Sequence, residues 1–254
     1  MLTFTTAELD AWVATLLYPF VRVLALMSAA PLFSHDSVPV PVRIALAFLI
    51  TAVLAPLLPS TAFVSPFSAA GTLLVITQVL VGVAIGLTMQ IVFAAVELAG
   101  DLIGLQMGLS FAGFIDPENS EQSPLVGSFL SVTLMLLFLT LNGHLALIEA
   151  LRGSFDTLPL GVTGWRAIDA AQLVATGANM FATGLSLALP VVGALLLVNL
   201  ALGVLSRAAP QLNLFAVGFP VTLMVGLLML LLAAPFALPA LQSVLEQGLL
   251  ALPK

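Results

Sequence analysis

Cysteine is absent from the 254-residue chain, and charged residues are scarce. The lack of cysteine excludes disulfides, thiolate metal sites and cysteine nucleophiles together. Charged residues make up 7% of the chain, whereas an ordinary soluble domain has about 25%. The 6 basic residues form no run that could follow a phosphate backbone, so the composition argues against a nucleic-acid partner.

Apolar residues make up 61% of the chain and are spread over its whole length. This leaves no stretch for a separate soluble domain, and we expect one all-α, integral membrane unit of about six hydrophobic helices. Glu8 and Asp10 precede the first apolar run, which we therefore expect to be retained and not cleaved as a signal peptide. The runs long enough to span a bilayer are Ala11 to Leu32, Ala70 to Val96, Leu125 to Ala150, Leu173 to Leu205 and Leu214 to Leu245.

Several features interrupt these runs. The run Ile44 to Leu58 has 15 residues, roughly 22 Å of helix, which is short of a hydrocarbon core of about 30 Å. Prolines that break the hydrogen-bonding pattern of a helix lie at Pro19, Pro190, Pro220 and Pro235. The stretches expected to be non-helical are His35 to Arg43, Pro59 to Pro66, Gly104 to Pro124 and Arg152 to Asp169.

Arg22 lies in the middle of the first apolar run. An unpaired charge at that depth costs about 3 kcal/mol on insertion scales. We therefore predict a partner for Arg22 in this chain or another, as a charge pair or a subunit contact.

Glu97 and Asp101 are four residues apart, so on a helix they share a face. Gly100, Gly104 and Gly108 lie near the same face, and such small residues allow another helix to approach closely. Gly82 and Gly86 offer a second surface of this kind. The carboxylates have two interpretations: they handle protons or cations, or they mark a helix end that enters the aqueous phase.

Motifs of known enzymes are missing from the sequence. There is no HExxH or Walker A motif, and Gly108 to Phe111 lacks the second glycine of an intramembrane serine protease motif. His144 is a candidate proton relay, but a single histidine without a carboxylate at helical spacing is more typical of a hydrogen-bonded packing residue. We expect no enzyme activity, no metal and no cofactor.

Four segments together resemble one family, the FliR/SpaR/YscT export-gate proteins of flagellar and type III secretion systems. The segments are Val38 to Pro56, Glu97 to Pro124, Leu136 to Gly161 and Leu205 to Leu223. The last of them, which contains RAAPQLNLFAVGFP, favours the flagellar FliR branch.

The resemblance implies one subunit of a helical, cone-shaped export gate in the bacterial inner membrane, at the flagellar basal body. Residues 1–170 would be similar to FliP, and residues 171–254 would form a FliQ-like helical hairpin. FliP, FliQ and FlhB would be its partners, together with membrane lipid. Unfolded flagellar proteins would be the substrates. Under this interpretation the glycine faces around Gly82 and Gly100 are expected to be subunit contacts.

The family resemblance also implies that residues 106–121 form a loop that plugs the export channel. Met107, Phe111, Phe114 and Ile115 would supply deformable apolar bulk that excludes water and ions. The glycines at 104, 108 and 113 would allow the backbone to bend, because glycine adopts conformations closed to other residues. The alternative is an amphipathic connector that packs in a groove.

Two further interpretations stay open from the sequence. Arg207 fits the tip of the last hairpin, where it would contact acidic residues of a neighbouring subunit or lipid head groups, or simply anchor helix ends. The runner-up function is a proton-coupled transporter of small solutes that uses Glu97 and Asp101 as coupling groups.

Overall fold

The computed structural model describes residues 6–58, 64–109, 125–158, 170–209 and 214–252. Within these ranges the regular secondary structure is helical. The α-helices are α1 (Thr6–Ala29), α2 (Val40–Leu54), α3 (Ala69–Met107), α4 (Leu125–Thr140), α5 (Gly143–Thr157), α6 (Ala170–Ala208) and α7 (Leu214–Leu250). A short 3-10 helix, Ala55–Leu57, extends α2.

The length and composition of five helices allow them to cross a membrane: α1, α2 with its 3-10 extension, α3, α6 and α7. The broken pair α4 and α5 would count as a sixth span. This confirms the expected all-α membrane fold with about six apolar helices. At about 1.5 Å per residue, the 39 residues of α3 extend roughly 58 Å, about twice the thickness of a hydrocarbon core.

Four sequence expectations on helix boundaries were wrong. Residues 104–107 belong to α3, because Ile103 and Met107 continue its buried face. Residues 40–43 are helical, because Pro41 lies in the first turn of α2, where the missing N–H needs no partner. Residues 152–157 are helical too, since Leu151, Ser154 and Phe155 give α5 a buried face. The run Leu125 to Ala150 is interrupted at Asn142, whose left-handed φ of 56° separates α4 from α5. The prolines expected inside helices do lie in α1, α6 and α7.

The chain divides into two compact units. The first unit comprises α1, α2, α3 as far as Ile91, and α5. The second comprises α3 from Val92, α4 as far as Phe138, and most of α6 and α7. The predicted boundary between residues 170 and 171 stays a prediction, because this grouping does not test similarity to FliP or FliQ.

Close approach of α1 and α3 organises the first unit. Methyl groups in place of the hydrogens of Gly82 and Gly86 would overlap α1, at the Arg22 carbonyl and at the Ala29 methyl group respectively. The glycine face that was expected to meet another subunit is therefore filled by the chain itself. Tyr18 joins α1 to the segment that precedes α3, because its hydroxyl donates to the Val64 carbonyl at 3.0 Å.

Helix α3 also lies at the centre of the second unit. Its residues Ala99, Ile103 and Met107 pack with Val126 of α4 and with Ala188, Val191 and Leu195 of α6. A methyl group at Gly100 would overlap Gly127 of α4, and one at Gly184 of α6 would lie 2.7 Å from the Ala95 carbonyl oxygen. Here too the predicted subunit face is an internal helix contact.

We expect Gly82→Ala to destabilise the protein by about 1–3 kcal/mol, because α1 must move away from α3 to admit the methyl group. The matched control is Gly193→Ala in α6, where nothing lies within 4 Å of the added carbon. Thermal unfolding of the detergent-purified variants measures the difference. Equal stability of the two variants would contradict the close α1–α3 contact.

Candidate functional site

The end of α3 is the part of the predicted plug that the structure describes. Gly108 ends the helix with a φ of 83°, and its N–H donates to the Leu105 carbonyl at 3.0 Å. This is the usual way in which glycine closes a helix, because the left-handed conformation costs it little. Gly104 is buried inside α3, one turn earlier. Phe111, Gly113, Phe114 and Ile115 lie outside the described residues, and their roles stay predictions.

Met107 is a core residue. Its side chain is 1% exposed and belongs to the apolar cluster of the second unit. The prediction grouped it with channel-filling residues, but the structure commits it to packing within its own chain. Its carbonyl oxygen accepts a hydrogen bond of 3.2 Å from the Thr222 hydroxyl of α7. The sequence carries no signal for this contact, because the two residues are 115 positions apart.

The two carboxylates on α3 differ in their surroundings. Glu97 is exposed, whereas Asp101 is half-buried and lies beside Gly127 of α4. The Asp101 Oδ1 atom is buried and has no hydrogen-bond partner within the described ranges. The predicted glycine groove next to the carboxylates exists, but α4 occupies it at Gly127.

Arg22 is fully buried in the first unit and has several partners there. Its Nε donates to Gln78 Oε1 at 2.7 Å, and its Nη1 donates to the Ser154 carbonyl at 2.8 Å and to the Ser154 hydroxyl at 3.0 Å. Its Nη2 donates to the Leu158 carbonyl at 2.8 Å, and the guanidinium lies 4.1 Å from the centre of the Phe155 ring. The sequence predicted a partner for Arg22 in this chain or another, and the structure shows it in the same chain; the contacting groups are neutral, so they do not form a charge pair with Arg22.

The Arg22 cluster closes the C-terminal end of α5. Ser154 lies in the last turn of that helix, and Leu158 directly follows it. The Ser154 carbonyl also accepts the Leu158 N–H at 3.0 Å, whereas the Leu158 carbonyl lies beyond the last intrahelical donor. Both carbonyls lie at a helix C-terminus, whose partial negative charge a cation stabilises. Sequence reasoning missed Gln78, although a glutamine within an apolar run is a signal of a buried hydrogen bond.

The other predicted polar residues stand apart from this cluster. Arg207 is exposed in the last turn of α6, where a positive charge suits the helix dipole. His144 is half-buried near the start of α5, and its Nδ1 has no hydrogen-bond partner within the described part of the chain. The described residues contain no group of three or more metal-ligating side chains.

The fold and these sites define a helical membrane protein whose buried polar groups serve helix ends and helix contacts. Residues 13–248 match the family described as bacterial export proteins, family 1, and the chain belongs to that family. Proteins named flagellar biosynthetic protein FliR are among its relatives. The one from Pectobacterium carotovorum is 47% identical over 94% of this chain and 91% of its own length. The one from Escherichia coli is 45% identical over the same shares, and the one from Bacillus subtilis is 35% identical over 84% of this chain and 83% of its own length.

Replacing Arg22 with Met should lower the free energy of unfolding by about 3 kcal/mol, because Gln78 and the Leu158 carbonyl lose their donor while still buried. Adding Gln78→Leu should recover part of the loss, since it removes one orphaned group. Arg152→Gln is the matched control, because Arg152 is exposed on α5. Denaturation of the purified variants measures these differences. The cluster has no such role if Arg22→Met is as stable as Arg152→Gln.

Proposed function

We propose that the chain is a structural subunit of the flagellar protein-export gate in the bacterial inner membrane, at the flagellar basal body. It would form an export channel with FliP and FliQ, with FlhB bound outside, for unfolded flagellar proteins. The observation that carries the proposal is 45–47% identity, over 94% of the chain, to proteins named flagellar biosynthetic protein FliR.

Exposed apolar surface supports a role within a larger assembly. On α6, Leu197, Leu200 and Val204 are each at least 65% exposed, and on α7 the same holds for Met224 and Leu231. Contiguous apolar surface of this kind needs lipid or protein to cover it. Membrane lipid covers part of it under this proposal, and neighbouring gate subunits cover the rest.

The lengths of the helices favour a gate that extends beyond the bilayer. Helices α3 and α6 have 39 residues each and α7 has 37, whereas about 20 suffice to span the hydrocarbon core. An assembly that projects from the membrane accommodates the excess. The sequence contains no nucleotide-binding motif, so energy for export would come from the proton motive force or from a partner ATPase.

Gln106 and Met107, the first two residues of the predicted loop 106–121, belong to α3, so the rest of the segment, from Gly108, is proposed to close the channel when no substrate passes. Phe111, Phe114 and Ile115 supply apolar bulk, and apolar constrictions block ions by excluding water. Gly113 and Gly108 supply flexible points on either side of Phe111. The left-handed Gly108 supports this view, because it ends α3 where the loop sequence begins.

Deleting Gly108 to Phe114 should raise ion leakage through the assembled gate, because the apolar bulk of the plug is lost. Conductance or dye uptake is measured in cells that express the gate proteins, and gentle detergent purification gives the number of assembled complexes for normalisation. The control changes Phe111 and Phe114 to Leu, which keeps apolar bulk and should not leak. A deletion variant that assembles and stays tight would contradict the plug.

Neutralising Glu97 and Asp101 to Gln and Asn separates the gate from a proton-coupled transporter of small solutes. A gate subunit should continue to export flagellar proteins, with at most an assembly or leakage defect, since export needs no proton carried by these side chains. A transporter should lose coupled uptake outright. Assays of secreted flagellar protein and of solute uptake in the same strain make the comparison. Loss of export from fully assembled complexes would argue against the purely structural role.

A further inference from the structure

Two residues one turn apart on α7, Thr222 and Gly226, hold the end of α3. Thr222 contacts the backbone of Met107, and Gly226 contacts its side chain. All three residues belong to the second unit and are described in the structure. We call the three residues the α3 anchor.

The Thr222 hydroxyl donates to a carbonyl at the end of α3. Met107 is the last residue of that helix, where carbonyls lack the donors that a continuing helix would supply, and Thr222 is its hydrogen-bond partner among the described residues. Thr222 is 7% exposed and supplies the hydrogen bond from α7. In an apolar layer an unpaired carbonyl is costly, since no water can replace the donor.

The same hydroxyl has a second acceptor within reach. The Phe219 carbonyl lies 3.0 Å from Thr222 Oγ1, compared with 3.2 Å for the Met107 carbonyl. A hydroxyl carries one proton, so it donates fully to one acceptor at a time. Thr222 can therefore release Met107 without becoming an unpaired buried donor itself.

Gly226 provides the space that the Met107 side chain occupies. A methyl group at Gly226 would lie 2.5 Å from Met107 Cγ and 2.8 Å from its Sδ and Cε. These distances are too short for any real contact, so either the methionine or α7 must move if the glycine is replaced. A methyl group added at Gly218, elsewhere on α7, would lie 3.8 Å from Leu202 Cδ1, which is an ordinary van der Waals distance.

We infer that Thr222 and Gly226 are positioning residues for export: by fixing Met107 they fix the direction in which the chain leaves α3 at Gly108. The inference rests on the proposed function, in which the residues after Gly108 close the channel. It adds that α7 sets the position of that closure and that movement of α7 would be transmitted to it.

Thr222→Val and Gly226→Ala test the anchor. Valine keeps the shape of threonine without its hydroxyl, and loss of one hydrogen bond changes an equilibrium between held and released states about fivefold. We expect both variants to assemble normally and to raise ion leakage per assembled gate. Thr222→Ser keeps the hydroxyl and Gly218→Ala adds a methyl group where there is room, so both should behave as wild type.

Combining Gly226→Ala with Met107→Ala tests whether the glycine acts through the methionine. Met107→Ala removes the three atoms that lie nearest to the added methyl group, so Gly226→Ala should have little further effect in the Met107→Ala background. Additive effects of the two substitutions would overturn this part of the inference.

Hydrogen exchange in the purified complex gives a readout that does not depend on the plug. Thr222→Val should speed amide exchange at residues 105–109 about fivefold, because the last turn of α3 loses its tertiary hydrogen bond. Unchanged exchange overturns the anchor. If exchange rises and deletion of Gly108 to Phe114 leaks, but Thr222→Val and Gly226→Ala do not, the positioning role is wrong and the proposed plug stands. If the deletion itself does not leak, the plug is wrong, and with it the positioning role.

Discussion

Backbone carbonyls at the ends of apolar helices need donors, and this requirement explains two of the buried polar contacts that the structure describes. A bilayer supplies no water to satisfy a carbonyl that the helix itself leaves free. Two helix ends illustrate the same solution. Arg22 donates to the carbonyl of Leu158 at the end of α5, and Thr222 donates to the carbonyl of Met107 at the end of α3. In each case another helix provides the side chain.

The two solutions differ in how firmly they hold the helix end. Arg22 makes several hydrogen bonds at once and also lies over the ring of Phe155. Breaking one of these contacts would weaken the others, because one guanidinium makes them all. Thr222 offers a single proton and has an alternative acceptor in its own helix. The first arrangement suits a permanent link between elements. The second would suit a helix end that is released while the fold stays intact, as the positioning role inferred for Thr222 requires.

The sequence was sufficient for the class of fold, because membrane helices are identified by length and composition. The sequence also predicted that the carboxylates of α3 lie on one helix beside a glycine face, because helical periodicity places residues four apart on the same side. Sequence reasoning failed where contacts between distant parts of the chain determine what surrounds a residue. Nothing local shows that Gly100 meets Gly127, that Met107 is a core residue, or that neutral groups surround Arg22.

Helix boundaries failed for a related reason. Arg152 to Thr157 is too polar for a spanning helix, and Asn142 and His144 are too few polar residues to divide the apolar run before it by hydropathy. The Asn-Gly pair at 142 and 143 is a turn signal that the expectation overlooked. The structure divides the run there because asparagine tolerates the left-handed conformation. Beyond that point the helix has its own buried face, formed by Leu147, Leu151 and Phe155.

The distribution of small residues explains how one chain contributes both internal contacts and external apolar surface. Gly82, Gly86, Gly100 and Gly184 are all used within the chain, where backbone contact replaces side-chain packing. By contrast, nothing lies within 4 Å of a methyl group added at Gly177, Gly193 or Gly203 of α6. Glycine lowers helix stability by about 1 kcal/mol relative to alanine, so these open positions cost stability without a contact in the chain to offset it. Close approach of another helix to α6 would supply that contact, in keeping with a subunit whose fold is completed by assembly.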